Sequence, residues 1–117
     1  MKGCYILLIK LNESKTIEVG RLGKIEFKEG FYAYIGSGMN NVLKRVERHF
    51  KKDKKLRWHI DYLTVQADEL YALIIPTDAK IECELAKVFS VNFEAVEGFG
   101  CSDCRCKSHL FYLGKLR

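Results

Sequence analysis

The alternation of apolar and polar positions divides the chain into short strands, three helical stretches and a glycine-rich tail. Residues 3–9, GCYILLI, are nearly all apolar and predict a buried central strand. Gly20, Gly23 and Gly30 cut the next stretch into pieces. Residues 17–19 and 24–27 read as small strands joined around GRLG, and 31–35, FYAYI, as a stronger strand entered from the KEG turn. Gly36-Ser37-Gly38 is expected to break that strand. A helix is predicted over 40–52, where Val42, Leu43, Val46 and Phe50 keep the spacing of a buried stripe. Arg45, Arg48, His49 and Lys52 fall on an adjoining face, so one side should meet the core and a cationic side a partner.

A charged loop at 53–55 leads to a second short helix, 56–63, which carries RWHIDYL. ELYALII at 69–75 reads as a strand closed by Pro76, and 81–91 as a third helix with Leu85, Val88 and Phe89 inward. The tail offers a strand at 94–97, a glycine- and cysteine-rich loop at 98–108 and a closing strand at 110–113. This order is no clean alternation of parallel units, which argues against a Rossmann-type sheet. The expected fold class is α/β in the α+β sense: a small mixed or antiparallel central sheet flanked by helices, with an extra N-terminal hairpin. Residues 1–117 are expected to form one domain.

Composition narrows the class. With 48% hydrophobic and 30% charged residues and a single proline, the chain is neither collagen-like, mucin-like nor disordered. Its apolar runs, such as Tyr5 to Ile9, are far below the roughly 18 residues a membrane helix needs. Cut off by Lys10 and Asn12, that run is also a poor signal peptide. A cytoplasmic protein without a membrane partner is expected. Twenty Lys and Arg stand against 15 Asp and Glu, a net +5. Residues 44–57 hold eight cations against Glu47 and Asp53, a net +6, which leaves −1 for the rest. A patch of this kind suits backbone phosphates or, equally, a solvated helix face. Lys44, Arg48, Lys51, Lys52, Lys55 and Arg57 are the candidate nucleic-acid contacts.

Taken singly, the side chains with chemistry have ordinary explanations. Tyr5, Tyr32 and Tyr34 suit cross-strand aromatics, Arg45 and Arg48 a solvated helix face, and Glu82 and Glu84 the start of a helix. Taken in order, Gly3-Cys4-Tyr5, then Tyr34-Ile35-Gly36-Ser37, then Arg45, Arg48 and His49, then a carboxylate opening a later helix, resemble the GIY-YIG nuclease superfamily. The likeness is closest to its small single-domain archaeal and bacterial branch, the Uri-type or DUF123 branch. That branch's stretches stand here as YIGSG, RVERHF, WHIDYL, ECELA and GFGCSDCRCKSHLFYL. The resemblance runs from Gly3 to Leu113.

It implies a divalent-metal-dependent endonuclease that hydrolyses DNA phosphodiester bonds, structure-specific or acting in repair. The family's two motif tyrosines fall on Tyr5 and Tyr34, paired on adjacent strands, and its catalytic helix arginine on Arg45. The basic residues one turn later fall on Arg48 and His49, and the glutamate for Mg²⁺ or Mn²⁺ on Glu82. A carboxylate-held cation and a guanidinium offset the negative charge that grows on a phosphate under attack. A tyrosine of ordinary pKa near 10 is a poor base at neutral pH, so cation and arginine must lower it or supply a metal-bound hydroxide instead. Tyr5 is assigned as water activator and Tyr34 as the positioning partner. His59 either braces its helix or serves the leaving oxygen or phosphate. Asp61, two residues on, cannot share its helix face and is expected to orient another group.

Three features depart from the wider superfamily. Cys4 stands where isoleucine is usual, a tolerable small hydrophobe. The tyrosines have 28 residues between them, longer than in the repair and homing nucleases, and the hairpin fills the extra length. No separate DNA-binding domain accompanies the motifs, so weak binding or a partner protein supplying specificity is expected. DNA is the expected substrate, and the same chemistry leaves RNA open. The alternative is a catalytically weak or inactive nucleic-acid-binding module or adaptor using the basic helix.

Cysteines at 4, 83, 101, 104 and 106, an odd number, argue against a disulfide framework. Cys83, Cys104, Cys106 and His109 could supply a structural Zn²⁺ site, but C-x-C-x-x-H is not the usual knuckle. The favoured reading is a packed loop of reduced cysteines that folds Asp103, Arg105 and His109 toward the active centre. Cys101 is the cysteine expected to be oxidisable.

Overall fold

The computed structural model describes residues 1–101 and 106–115, and its elements follow the hydrophobic pattern with shifted ends. Strands β1 (Gly3–Leu11), β4 (Gly30–Gly38), β5 (Glu69–Pro76), β6 (Glu94–Ala95) and β7 (Leu110–Gly114) form a five-stranded sheet in the order β5-β1-β4-β7-β6. Every pairing in it is antiparallel. The expected small sheet is therefore antiparallel rather than mixed. Strands β2 (Lys15–Glu18) and β3 (Lys24–Phe27) make a separate two-stranded hairpin, turned by a single 3₁₀ turn at Gly20–Leu22. Its Ile17 and Phe27 are buried in the main core with Val19, so the hairpin covers apolar surface.

Alternation along β1 explains the two layers. Tyr5, Leu7, Ile9 and Leu11 point into a large core shared with helix α1 (Val42–Phe50), helix α2 (His59–Thr64), the hairpin and Phe99. Ile6 points to the opposite face, where Ile35, Phe111 and Ala86 form a smaller cluster under helix α3 (Glu82–Asn92). No helix among the described residues is long and apolar enough to cross a membrane.

The helices depart from their predicted form in instructive ways. α1 starts at Val42 because the Asn41 side chain accepts the Lys44 N–H at 3.2 Å. It ends at Phe50, where the Lys54 ammonium donates to the carbonyls of Arg48 and His49 at 3.2 and 3.1 Å. Its buried stripe is Val42, Val46 and His49, while Leu43 is 50% and Phe50 44% exposed. The inward side of a 3.6-residue helix passes through 42, 46 and 49, so a histidine took the position assigned to a phenylalanine. α2 begins three residues later than predicted, since the Asp61 carboxylate accepts the N–H groups of Arg57 and Trp58 at 2.8 and 3.0 Å and caps it there. In α3, Leu85 and Phe89 pack inward as expected, but Val88 is 61% exposed and Ala86 is the buried residue.

Gly36-Ser37-Gly38 does not break β4. The strand continues through it, with Tyr5 opposite Gly36 and Gly3 opposite Gly38. A Cβ at Gly36 would overlap the Tyr5 hydroxyl and ring carbon Cζ, so glycine makes room for that ring.

Candidate functional site

At one end of the sheet a polar cavity of about 280 Å³ is lined by Tyr5, Tyr34, Arg45, His59 and Glu82, with Ser37 and Trp58 at its walls. Each comes from a different part of the fold. Tyr5 stands on β1 and Tyr34 on β4, two positions along from Tyr5's partner Gly36, so both rings share one face with centroids 6.4 Å apart. Arg45 projects from α1, while Glu82 and His59 open α3 and α2. The Ser37 hydroxyl donates to Glu82 Oε1 at 3.0 Å, which ties the carboxylate to the end of β4.

Burial dominates the tyrosines. It raises the pKa of Tyr5 well above its ordinary value, and Arg45 pulls the other way without reversing it. Tyr34 is raised too, first by burial and then by Tyr5 and Glu82. Behind Tyr5, its hydroxyl lies 2.7 Å from His49 Nε2. Burial, and after it the charge of Lys54, pushes His49 down to about 4, so the ring is neutral at neutral pH.

His59 accepts the Gly100 N–H on Nδ1 at 2.9 Å. The neutral ring therefore carries its proton on Nε2 and offers a donor. Gly100 holds φ +76°, a backbone conformation that glycine adopts without strain, and this aims its N–H at the ring. Burial lowers the His59 pKa.

Trp58 organises the cationic wall. The guanidinium carbons of Arg45 and Arg48 lie 4.6 and 4.5 Å from its ring centroid. Arg48 donates to both oxygens of Asp61 at 2.8 and 3.0 Å and to the Lys55 carbonyl at 2.9 Å. Burial alone would raise the Asp61 carboxyl, but Arg48 and the two backbone N–H groups hold it below the usual range.

The family model described as Domain of unknown function DUF123 matches residues 4–117. The chain belongs to this family. Among curated proteins and solved structures, nothing matches it significantly.

In this DUF123 chain, five of the seven candidate catalytic residues line one cavity: Tyr5, Tyr34, Arg45, His59 and Glu82. Arg48 and His49 do not line it. His49 is fully buried behind Tyr5 rather than on the cationic face, and Arg48 is engaged by Asp61 and Trp58. Each touches a residue of the cavity lining, His49 through Tyr5 and Arg48 through Trp58. Asp61 orients another group, as its spacing from His59 predicted.

The basic window divides in the same way. Lys52 donates to the carbonyls of Thr64 and Ala67 at 2.6 and 2.8 Å. Lys54 adds the Thr64 hydroxyl to its two helix carbonyls, and burial pushes its pKa down to about 8. Lys44, Lys51, Lys55 and Arg57 are exposed, and Arg57 reaches the cavity rim.

Trp58 and Ser37 were missed by sequence reasoning. Two arginines three apart on α1, followed by a tryptophan at the next helix start, were the available signal for Trp58. Nothing local points to Ser37, because its partner lies 45 residues away.

Outside the cavity lining, Cys83, Cys106 and His109 bring one ligand atom each to within 4.8 Å of one another. Cys104, with Asp103 and Arg105, lies outside the described residues. His109 turns its Nδ1 to the Ile35 carbonyl at 3.2 Å and does not line the cavity. The Cys101 thiol faces the Phe99 carbonyl at 3.5 Å.

Proposed function

We propose that this chain is a divalent-metal-dependent endonuclease that hydrolyses DNA phosphodiester bonds in the cavity between β1, β4, α1 and α3. The reading draws on the likeness of its motifs to GIY-YIG nucleases. The observation that carries it is the convergence of Tyr5, Tyr34, Arg45, His59 and Glu82, scattered over 78 positions of sequence, on one polar cavity. Phosphate binding alone requires neither a tyrosine pair nor a carboxylate.

The donor set fits Mg²⁺ or Mn²⁺. These hard cations take oxygen ligands, often one or two carboxylates completed by substrate phosphate and water. Glu82 is the one carboxylate among the described lining residues, and Ser37 fixes one of its oxygens. When bound at Glu82, the cation supplies positive charge against the phosphate oxygens.

The chain's own residues do the rest. The Arg45 guanidinium, held over the Trp58 ring, binds phosphate oxygens as their negative charge grows. His59 offers its Nε2–H to a phosphate or leaving oxygen, which suits a neutral ring better than full proton transfer. Tyr5 and Tyr34 orient the attacking water, whose oxygen forms the new P–O bond as the bond to the leaving oxygen breaks. The water's proton passes to bulk water, and the leaving oxygen takes a proton from solvent. With their pKa values raised by burial, both phenols favour hydrogen bonding over proton abstraction. Tyr5 is thus better cast as a water-orienting hydroxyl than as a base.

That same burial favours a second reading, a phosphate-binding module with little hydrolysis. Cleavage of labelled single-stranded, duplex, flap and branched DNAs at low salt decides between them. The nuclease reading expects products that vanish with chelator, with Glu82→Gln and with Arg45→Ala. Binding without cleavage across that panel overturns it in favour of the module.

A further inference from the structure

We propose that Cys83, Cys106 and His109 form a structural zinc site that fastens the first turn of α3 to the edge of β4. The three residues come from separate places: the start of α3, the loop before β7 and the residue preceding β7. Their ligand atoms nonetheless converge within 4.8 Å. Tetrahedral zinc with sulfur at about 2.3 Å and nitrogen at about 2.0 Å needs donors roughly 3.5–3.8 Å apart, a small closure of this cluster.

The histidine is set for the role. His109 is 3% exposed, and its Nδ1 faces a carbonyl oxygen, which can only accept. The proton therefore sits on Nδ1, and the lone pair of the neutral ring on Nε2. A backbone carbonyl that fixes the far nitrogen is the usual support of a zinc-bound imidazole. Two sulfurs and an imidazole select a borderline-soft ion, zinc, over Mg²⁺ or Ca²⁺. Three protein donors leave the fourth tetrahedral position to water or a further donor.

The fold gives such a site a purpose. α3 is weakly anchored, since Ala86 is its one buried residue and Val88 and Val91 face outward. Its opening residue, Glu82, must nevertheless hold a fixed place beside Ser37. A metal on Cys83, the next residue, joins that turn to His109, whose backbone carbonyl accepts the Ile35 N–H at 2.9 Å. Helix start and β4 would then move as one.

The test is metal binding by the full chain, purified under reducing conditions after expression with zinc. About one zinc per chain is expected, with Co²⁺ substitution giving the intense visible absorption of tetrahedral thiolate ligation. Cys83→Ser and Cys106→Ser should abolish that absorption, and His109→Gln should weaken metal affinity on the order of 100-fold or more. Cys4→Ala, whose thiol is not among the three converging ligands, should retain it. Chelation should lower Tm by roughly 5–15 °C. The site is overturned by reduced wild-type chain that takes up neither zinc nor Co²⁺, or by metal binding unchanged in both cysteine variants. A Cys83–Cys106 disulfide in protein without metal affinity overturns it as well. None of these readouts uses DNA cleavage, so the zinc site stands or falls apart from the nuclease reading.

Discussion

Tyr5 and His49 meet through a 2.7 Å hydrogen bond inside the core, and the other His49 nitrogen, Nδ1, has no hydrogen-bond partner among the described residues. A histidine in that position accepts a proton only at a cost, because its cation would be desolvated next to Lys54.

Acid should therefore destabilise the protein through His49. In the unfolded chain this residue takes a proton near pH 6.5, whereas the folded core resists it until about 4. Below pH 6.5 the unfolded state binds more protons, so stability falls as the pH falls. Each pH unit of separation is worth about 1.4 kcal/mol, and the loss approaches about 3 kcal/mol near pH 4. Urea unfolding across that range should show the slope, and His49→Gln should remove most of it. An unchanged slope in the variant would assign the titration elsewhere. Asp61, whose carboxyl is held low, contributes stability that is lost only further into acid.

Gly36→Ala should displace the Tyr5 ring, because the added methyl would overlap its hydroxyl end. The backbone at Gly36 needs no positive φ, so the penalty is overpacking alone, about 1–3 kcal/mol. Denaturant midpoints read that cost. The contact of Tyr5 with His49 should break with it, visible as a histidine titration in NMR moved up toward its ordinary value.

Trp58 offers a test that separates positioning from folding. It is partly exposed, so its truncation should cost little stability, yet it holds the guanidinium of Arg45 at the cavity. If Arg45 binds the reacting phosphate, Trp58→Ala should lower cleavage on the order of 10- to 100-fold, and Trp58→Phe should restore part of it. A fall in Tm matching the fall in activity would reduce Trp58 to a packing residue.

The strands were legible because their signal is local: the apolar run of β1 and the glycines around the hairpin declare themselves within a few residues. The cavity residues were legible through motif order, since Tyr5, Tyr34, Arg45, His59 and Glu82 do meet. What the sequence concealed was charge bookkeeping across the fold. Arg48 and Lys52 look as free as Lys44 along the chain, because their partners Asp61, Thr64 and Ala67 lie 12 to 15 residues away on another element. His49 was read as cationic for the same reason: helical spacing gives two adjoining faces, and only the sheet decides which is buried. Apolar Leu43 and Phe50 then face outward, against their type.

That division of the basic window yields opposite expectations for neighbouring lysines. Lys44, Lys51, Lys55 and Arg57 are exposed, so alanine at any of them should leave stability within about 0.5 kcal/mol. If they contact DNA phosphates, each substitution should weaken binding about equally for all sequences and reduce the salt slope by roughly 0.9. Lys54 is a structural cation with its side chain 4% exposed, donating to two C-terminal carbonyls of α1 and to Thr64. Lys54→Ala should cost about 1–3 kcal/mol and leave those carbonyls without their donor. Salt-dependent binding and denaturant unfolding on the same set of variants measure both effects. Loss of DNA affinity from Lys54→Ala in still-folded protein, with no loss from the exposed four, would place the phosphate track elsewhere on the surface.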